Sequence, residues 1–231
     1  MLKELRETVF KANLDLVSHG LVIHTWGNVS GRDNDSGLIV IKPSGVSYES
    51  MKPDDMVVID PDGKVVEGKF KPSTDAPTHL LLYKTFEAIG GVVHTHSTYA
   101  TSWAQAGRAI PPFGTTHADH YAGEVPCTRL LTDEEIDSNY EINTGKVIVE
   151  TLASVNPLTI PSVLVNSHGP FCWGTDADNA VYNAISLEEI AKLAFYTVLL
   201  GKSEPVKKSL LDKHFKRKHG SSAYYGQGTN K

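Results

Sequence analysis

Two histidines spaced two residues apart close a short β-branched run, Gly90-Gly91-Val92-Val93-His94-Thr95-His96. Side chains at i and i+2 of a strand project from one face, so both imidazoles are directed at a single spot. A third histidine, His168, ends a similar run, Val163-Leu164-Val165-Asn166-Ser167-His168-Gly169. Three neutral imidazoles with one position left open form the ligand set of a catalytic zinc or a similar divalent cation. The pattern therefore predicts strands that present their ends to a metal.

The chain has 231 residues, enough for two small domains or one larger one. No Ser/Gly- or Pro-rich linker divides it and no period repeats, so one domain around a single core is expected. Hydrophobic residues at 40% and charged residues at 21% are ordinary for a soluble globular protein. The net charge of -5 argues against a nucleic-acid-binding surface over the whole molecule, while leaving room for a local basic pocket that takes a small anion. Two cysteines, Cys127 and Cys172, offer no disulfide framework, and no apolar leader or run of membrane-spanning length is visible. These features lead to an expectation of a cytoplasmic protein with no membrane partner. Cys172 follows His168 by four residues and is in principle a soft ligand; beside Phe171 and Trp173 it reads as a small buried residue.

Along the chain, apolar residues at helical spacing predict a helix over 2–19, stopped by Gly20. His24 to Ser30 reads as strand-like, and Leu38 to Ile41 as a buried strand ended by Pro43-Ser44-Gly45. Met56–Asp60 and Val65–Gly68 flank Pro61-Asp62-Gly63 as a hairpin. Helices are expected from about Asp75, from Tyr99 to Ala106, from Thr144 to Leu152 and from Asp176 to Leu200, with a capping signal at Thr132 to Glu135. A strand ends at His168, and a basic amphipathic helix over about 206–219 precedes Tyr224-Tyr225-Gly226-Gln227. Such mixing indicates α/β or α+β layers.

Spacing removes several common contexts for a His-x-His pair. A cupin-like site wants Glu three or four residues after His96, where Tyr99 and Ala100 stand; a metallo-β-lactamase-like site wants Asp where Thr98 stands. A TIM-barrel hydrolase usually needs a longer chain. Asp75, in Lys71-Pro72-Ser73-Thr74-Asp75-Ala76-Pro77, has two readings: a helix N-cap before Ala-Pro, or a further metal or base group. Three segments present backbone N–H groups and hydroxyls in the manner of anion-binding turns: Trp26-Gly27-Asn28-Val29-Ser30, Lys42-Pro43-Ser44-Gly45 and Pro72-Ser73-Thr74. Ordinary turn chemistry explains any one of them alone. The run Lys213 to His219 could add charge near such a site, although a solvated helix face is the simpler reading.

In combination, Thr25-Trp26-Gly27-Asn28-Val29-Ser30, Lys42-Pro43-Ser44-Gly45-Val46, His94-Thr95-His96, Gly114-Thr115-Thr116-His117-Ala118-Asp119, His168-Gly169-Pro170-Phe171 and Lys218-His219-Gly220 with Ala223-Tyr224-Tyr225-Gly226-Gln227 are specific. The chain resembles the L-ribulose-5-phosphate 4-epimerases of the class II aldolase/adducin superfamily from its N-terminus to about Gln227. The resemblance implies one α/β/α domain with a central, largely antiparallel sheet, assembled as a homotetramer. It implies one divalent metal per subunit, usually zinc, on His94, His96 and His168, with Asp75 at or beside it. Gly27, Asn28, Ser44, Gly45, Ser73 and Thr74 match the positions that hold a sugar phosphate, Thr74 standing where Ser is frequent. Asp119 and Tyr225 match paired acid/base residues, the tyrosine reaching the site of a neighbouring subunit, so that residues from about 205 onward would contribute to an interface.

The closest rival within the superfamily is a fuculose-phosphate-type aldolase, which typically carries Glu in place of Asp75 and lacks the Asp119/Tyr225 pairing. An adducin-like module without catalysis would lack the metal histidines. Arabinose-linked and ascorbate-linked epimerases look alike at these positions.

Overall fold

The computed structural model describes residues 1–201, 204–220 and 223–226. Its centre is a seven-stranded sheet of β1 (Asn28–Arg32), β2 (Ile39–Ile41), β3 (Val57–Ile59), β4 (Val65–Glu67), β5 (Gly91–His94), β6 (Ser162–Val165) and β7 (Gly169–Gly174). The order is β4-β3-β2-β1-β5-β7-β6, and every pairing is antiparallel. The expected layered α/β fold with an antiparallel sheet is thus present. The predicted hairpin is β3 and β4.

Helices cover both faces. α1 (Lys3–Ser18) and the long α7 (Ala177–Leu199) pack on each other and on β1, β5 and β7. On the opposite face lie α2 (Ala76–Thr85) and α6 (Tyr140–Thr151), packed together. Strand alternation sorts the residues of β1 between these layers. A Cβ on Gly31 would meet Val9 and Ala177 of the first layer, whereas Ser30 bonds to α2. Gly90 and Gly91 allow the closest approaches, since a Cβ there would lie 2.1 Å from the Thr175 carbonyl oxygen and 2.2 Å from that of Asp176, just before α7. Fully buried Trp173, Phe171, Ile39, Ile41 and Leu82 fill the two interlayer spaces.

Short helices α3 (Thr98–Gln105), α4 (Thr115–Ala118) and α5 (Asp133–Asp137) and the basic α8 (Lys208–Lys218) complete the chain. The Thr132 to Glu135 signal is a reciprocal capping box that starts α5. Among the described residues no helix is long and apolar enough to cross a membrane.

Three boundaries differ from the sequence expectations. β1 begins at Asn28 rather than His24, because His24 and Gly27 adopt φ of 54° and 116°, which no strand can contain. The run toward His168 ends as a strand at Val165; Ser167 at φ 62° turns the chain, and His168 sits on the tight turn into β7. α6 begins at Tyr140, a turn before Thr144.

Candidate metal centre

β5 ends at His94, and His96 lies two residues past it, where the chain leaves the sheet toward α3. The β6–β7 turn brings His168 alongside, since β7 pairs with β5 in a register that sets Phe171 opposite His94. One nitrogen from each of the three imidazoles falls within 4.8 Å of the other two. Their ring centroids are 4.7 to 5.1 Å apart.

Neighbouring groups fix which nitrogens face inward. His94 Nδ1 donates to the Pro170 carbonyl at 3.0 Å, which leaves Nε2 a bare lone pair. That Nε2 faces His96 Nε2 at 3.1 Å. His168 Nδ1 is 3.2 Å from the Tyr140 hydroxyl. Outer hydrogen bonds of this kind orient the imidazoles of metal sites. Burial is the main cause holding all three pKa values below the ordinary histidine value, and that of His168 falls to about 3. Neutral imidazoles converging on one point fit a divalent cation, with no proton to displace at neutral pH.

The structure turns the Asp75 side chain away from capping and into the histidine cavity. Asp75 occupies the N-cap position of α2, yet its side chain makes no capping bond. Instead Asp75 Oδ2 accepts a 2.6 Å hydrogen bond from Asn28 Nδ2 and lines the histidine cavity. Burial disfavours its charge, but His94, His79, the Asn28 bond and His168 together outweigh burial and keep its pKa below the usual carboxylate value.

That cavity, about 480 Å³, also collects Gly27, Asn28, Ser44, Gly45, Ser73 and Thr74. Gly27 permits it: with φ of 116°, a Cβ there would stand 2.8 Å from the His94 carbonyl oxygen. The other two turns are stitched together by Ser44 N–H to Lys71 O at 3.0 Å and Ser73 N–H to Lys42 O at 2.9 Å. The start of α2 follows directly, so its positive dipole end adjoins Ser73 and Thr74. Asn28 Oδ1 is a buried acceptor without a partner among the described residues. The three imidazoles and the polar groups of the three turns therefore share one cavity.

Sequence reasoning placed Lys42 and Trp26 only within anion-binding turns and gave Tyr140 no role. Lys42 lines the cavity with its ammonium over the Tyr48 ring and donating to Val46 O at 2.9 Å; burial lowers its pKa to about 8. A lysine continuing the buried run Leu38 to Ile41 was the available signal. Trp26, 53% exposed, forms a wall against His96. Tyr140 comes from a distant helix, and no local pattern pointed to it.

Asp119 and Tyr225 are brought together with each other and not with this cavity. Asp119 follows α4 and accepts from Arg217 Nη2 at 2.7 Å, with His214 Nδ1 at 2.9 Å and Lys218 Nζ at 3.5 Å. The Tyr225 ring lies under the Arg217 and Lys218 cations at 5.1 and 4.5 Å. Both residues line a different cavity of about 440 Å³, with His120 and His219. The basic run is thus more than a solvated face: three of its side chains clasp one carboxylate.

A model of the class II aldolase and adducin N-terminal domain matches residues 7–195. The chain belongs to the class II aldolase/adducin family. Over 227 residues it is 57% identical to the L-ribulose-5-phosphate 4-epimerase UlaF of Salmonella paratyphi B, covering 98% of this chain and 100% of that protein. It matches the structure of an L-fuculose 1-phosphate aldolase with a TM-score of 0.77 at 26% identity, covering 91% of this chain and 94% of the other. YgbL of Klebsiella pneumoniae gives a TM-score of 0.73 at 25% identity, covering 92% of this chain and 99% of that one. The family domain stops before α8, whereas the likeness to the Salmonella epimerase leaves only a few residues uncovered. The clasp that α8 builds around Asp119 therefore belongs to the region shared with the epimerase.

Proposed function

We propose that the protein is a metal-dependent isomerase that interconverts L-ribulose 5-phosphate and D-xylulose 5-phosphate. The observation that carries this reading is the near full-length likeness to the Salmonella 4-epimerase, which runs through α8 beyond the family domain. His94, His96 and His168, with Asp75 beside them, would hold the cation, for which zinc is the first choice.

The substrate's own chemistry explains the need for this site. With the carbonyl at C2, the hydrogen on C4 is not acidic, so deprotonation cannot invert that centre. Breaking C3–C4 gives an enediolate and glycolaldehyde phosphate; if the aldehyde turns its other face before the bond reforms, C4 is inverted. When bound, the cation supplies Lewis-acid stabilisation of developing oxyanion charge, an effect worth several kcal/mol.

The chain's residues do the rest. Ser44, Gly45, Ser73, Thr74 and Gly27 hold the phosphate with N–H groups and hydroxyls, helped by the Lys42 cation, so that the aldehyde fragment stays anchored while its carbonyl turns. Asn28 fixes Asp75 through one amide atom and offers Oδ1 to a substrate hydroxyl. Asp119 and Tyr225 exchange the proton on the C4 oxygen, one for each configuration. Because they line a separate cavity of the same chain, they serve the metal cavity of a neighbouring subunit in a homotetramer, with α8 and the following segment at the interface. A reduced cytoplasm suits the two free thiols, whose pKa values burial pushes up to about 11 for Cys127 and about 12 for Cys172.

The fuculose-phosphate aldolase reading uses the same cation and differs in releasing the aldehyde. A substrate comparison separates the two. Metal-replete protein is expected to interconvert the two pentulose phosphates and to leave L-fuculose 1-phosphate intact; fuculose phosphate cleavage without pentulose interconversion would reverse the assignment.

A further inference from the structure

Helix α2 turns a polar stripe toward the sheet. Asp75, His79 and Tyr83 are four residues apart, so they lie one above another on a single helix face. This stripe meets alternate residues of β1: Asn28 bonds to Asp75, and Ser30 Oγ lies 2.8 Å from both His79 Nδ1 and Tyr83 OH. Ser30 and His79 are wholly excluded from solvent. A polar group in a core is costly unless it is bonded, and an aliphatic residue at 79 would pack there without that demand.

His79 is not fully satisfied either, since its Nε2 is buried without a partner among the described residues. Burial drives its pKa down to about 3, so the ring is neutral. On its other side His79 packs edge-on against Phe171, with centroids 6.1 Å apart and planes at 76°. Phe171 in turn stacks flat on His94, 4.2 Å away at 16°. One side chain thus bonds to the strand carrying Asn28 and touches the ring lying against a metal ligand.

We propose that His79 is a positioning residue for the cation site. Its bond to Ser30 sets the register of α2 on β1, so that Asp75, one turn away, meets Asn28; its contact with Phe171 fixes the plane of the His94 ring. The assignment rests on the cavity being a divalent-metal site.

The test measures metal binding directly. Metal-free wild-type protein and the variants His79→Leu, His79→Asn and Ser30→Ala are titrated with Zn²⁺ against a chromophoric chelator, and Co²⁺ absorption reports ligand geometry. His79→Leu, which keeps bulk and loses the bond, is expected to bind Zn²⁺ about tenfold more weakly with an altered Co²⁺ band, as losses of outer partners do in metal sites. His79→Asn, whose amide can reach Ser30, should recover much of that affinity. If the leucine variant does not fold, Ser30→Ala tests the same bond from the strand and should show the same loss. Wild-type affinity and an unchanged Co²⁺ band in His79→Leu or Ser30→Ala, or an equal loss in the asparagine and leucine variants, overturn the positioning role alone. A wild-type chain that takes up neither metal overturns the metal reading as well.

Discussion

Lys42 lines the histidine cavity with Ser44 and Gly45, and if that cavity takes the sugar phosphate as proposed, its ammonium makes phosphate capture sensitive to pH. Burial lowers its pKa to about 8, so Nζ is cationic below that value and neutral above it. KM for the sugar phosphate is therefore expected to climb as pH rises through about 8. In Lys42→Gln the charge is absent throughout, and KM should be raised about tenfold at neutral pH, the worth of one charge-assisted hydrogen bond, and should no longer climb through that range. Steady-state kinetics from pH 6.5 to 9.5 checks both points. Residue identities made much of this cavity readable in advance: the three histidines and the three polar turns do converge. From its local pattern alone Asp75 was not readable, because Asp before Ala-Pro satisfies a helix start and a cavity equally well; only the family resemblance set it at or beside the metal. Only the Asn28 amide at 2.6 Å decides where its carboxylate turns.

At the level of elements, the Asp119 carboxylate is the ionic anchor of α8, beside buried Leu211 and the His219 contact with the Asp119 carbonyl. Asp119 accepts from Arg217 and His214, and these bonds outweigh its partial burial to hold its pKa below the usual value. A carboxylate whose pKa is lower in the folded chain stabilises the fold above its unfolded pKa and loses that contribution as pH falls through the lowered value. The docking of α8 should accordingly persist at neutral pH and weaken in acid, below the usual carboxylate range. Asp119→Asn should cost about 1–2 kcal/mol, less than a fully buried pair because water still screens the cluster. Hydrogen exchange over 208–218 measures the loosening. Helix periods and turn residues announced α1, α7, α8 and the β3–β4 hairpin. They could not show that His168 rides on a turn, because the positive φ of Ser167 carries no glycine to mark it. Nor could a charge run reveal which carboxylate it would clasp, since that pairing spans some ninety-eight positions of sequence.

For the molecule as a whole, the residues assigned to the chemistry lie in two separate cavities of each chain: the histidine cavity and the Asp119–Tyr225 cavity. If neighbouring subunits complete each other, His96→Ala and Tyr225→Phe each inactivate the protein, and unfolding and refolding the two variants together restores activity. Random mixing of equal amounts should return roughly a quarter of the wild-type rate, because each interface needs one intact half from each side. No recovery would place both halves at the service of their own chain. The most direct test of the central claim is epimerisation itself, followed in D₂O by the same preparation before metal removal, after it and after Zn²⁺ is restored. The expected result is interconversion of L-ribulose 5-phosphate and D-xylulose 5-phosphate that disappears with the metal, returns with it, and leaves no solvent deuterium at C4. An undiminished rate in metal-free protein, or deuterium at C4, would contradict it.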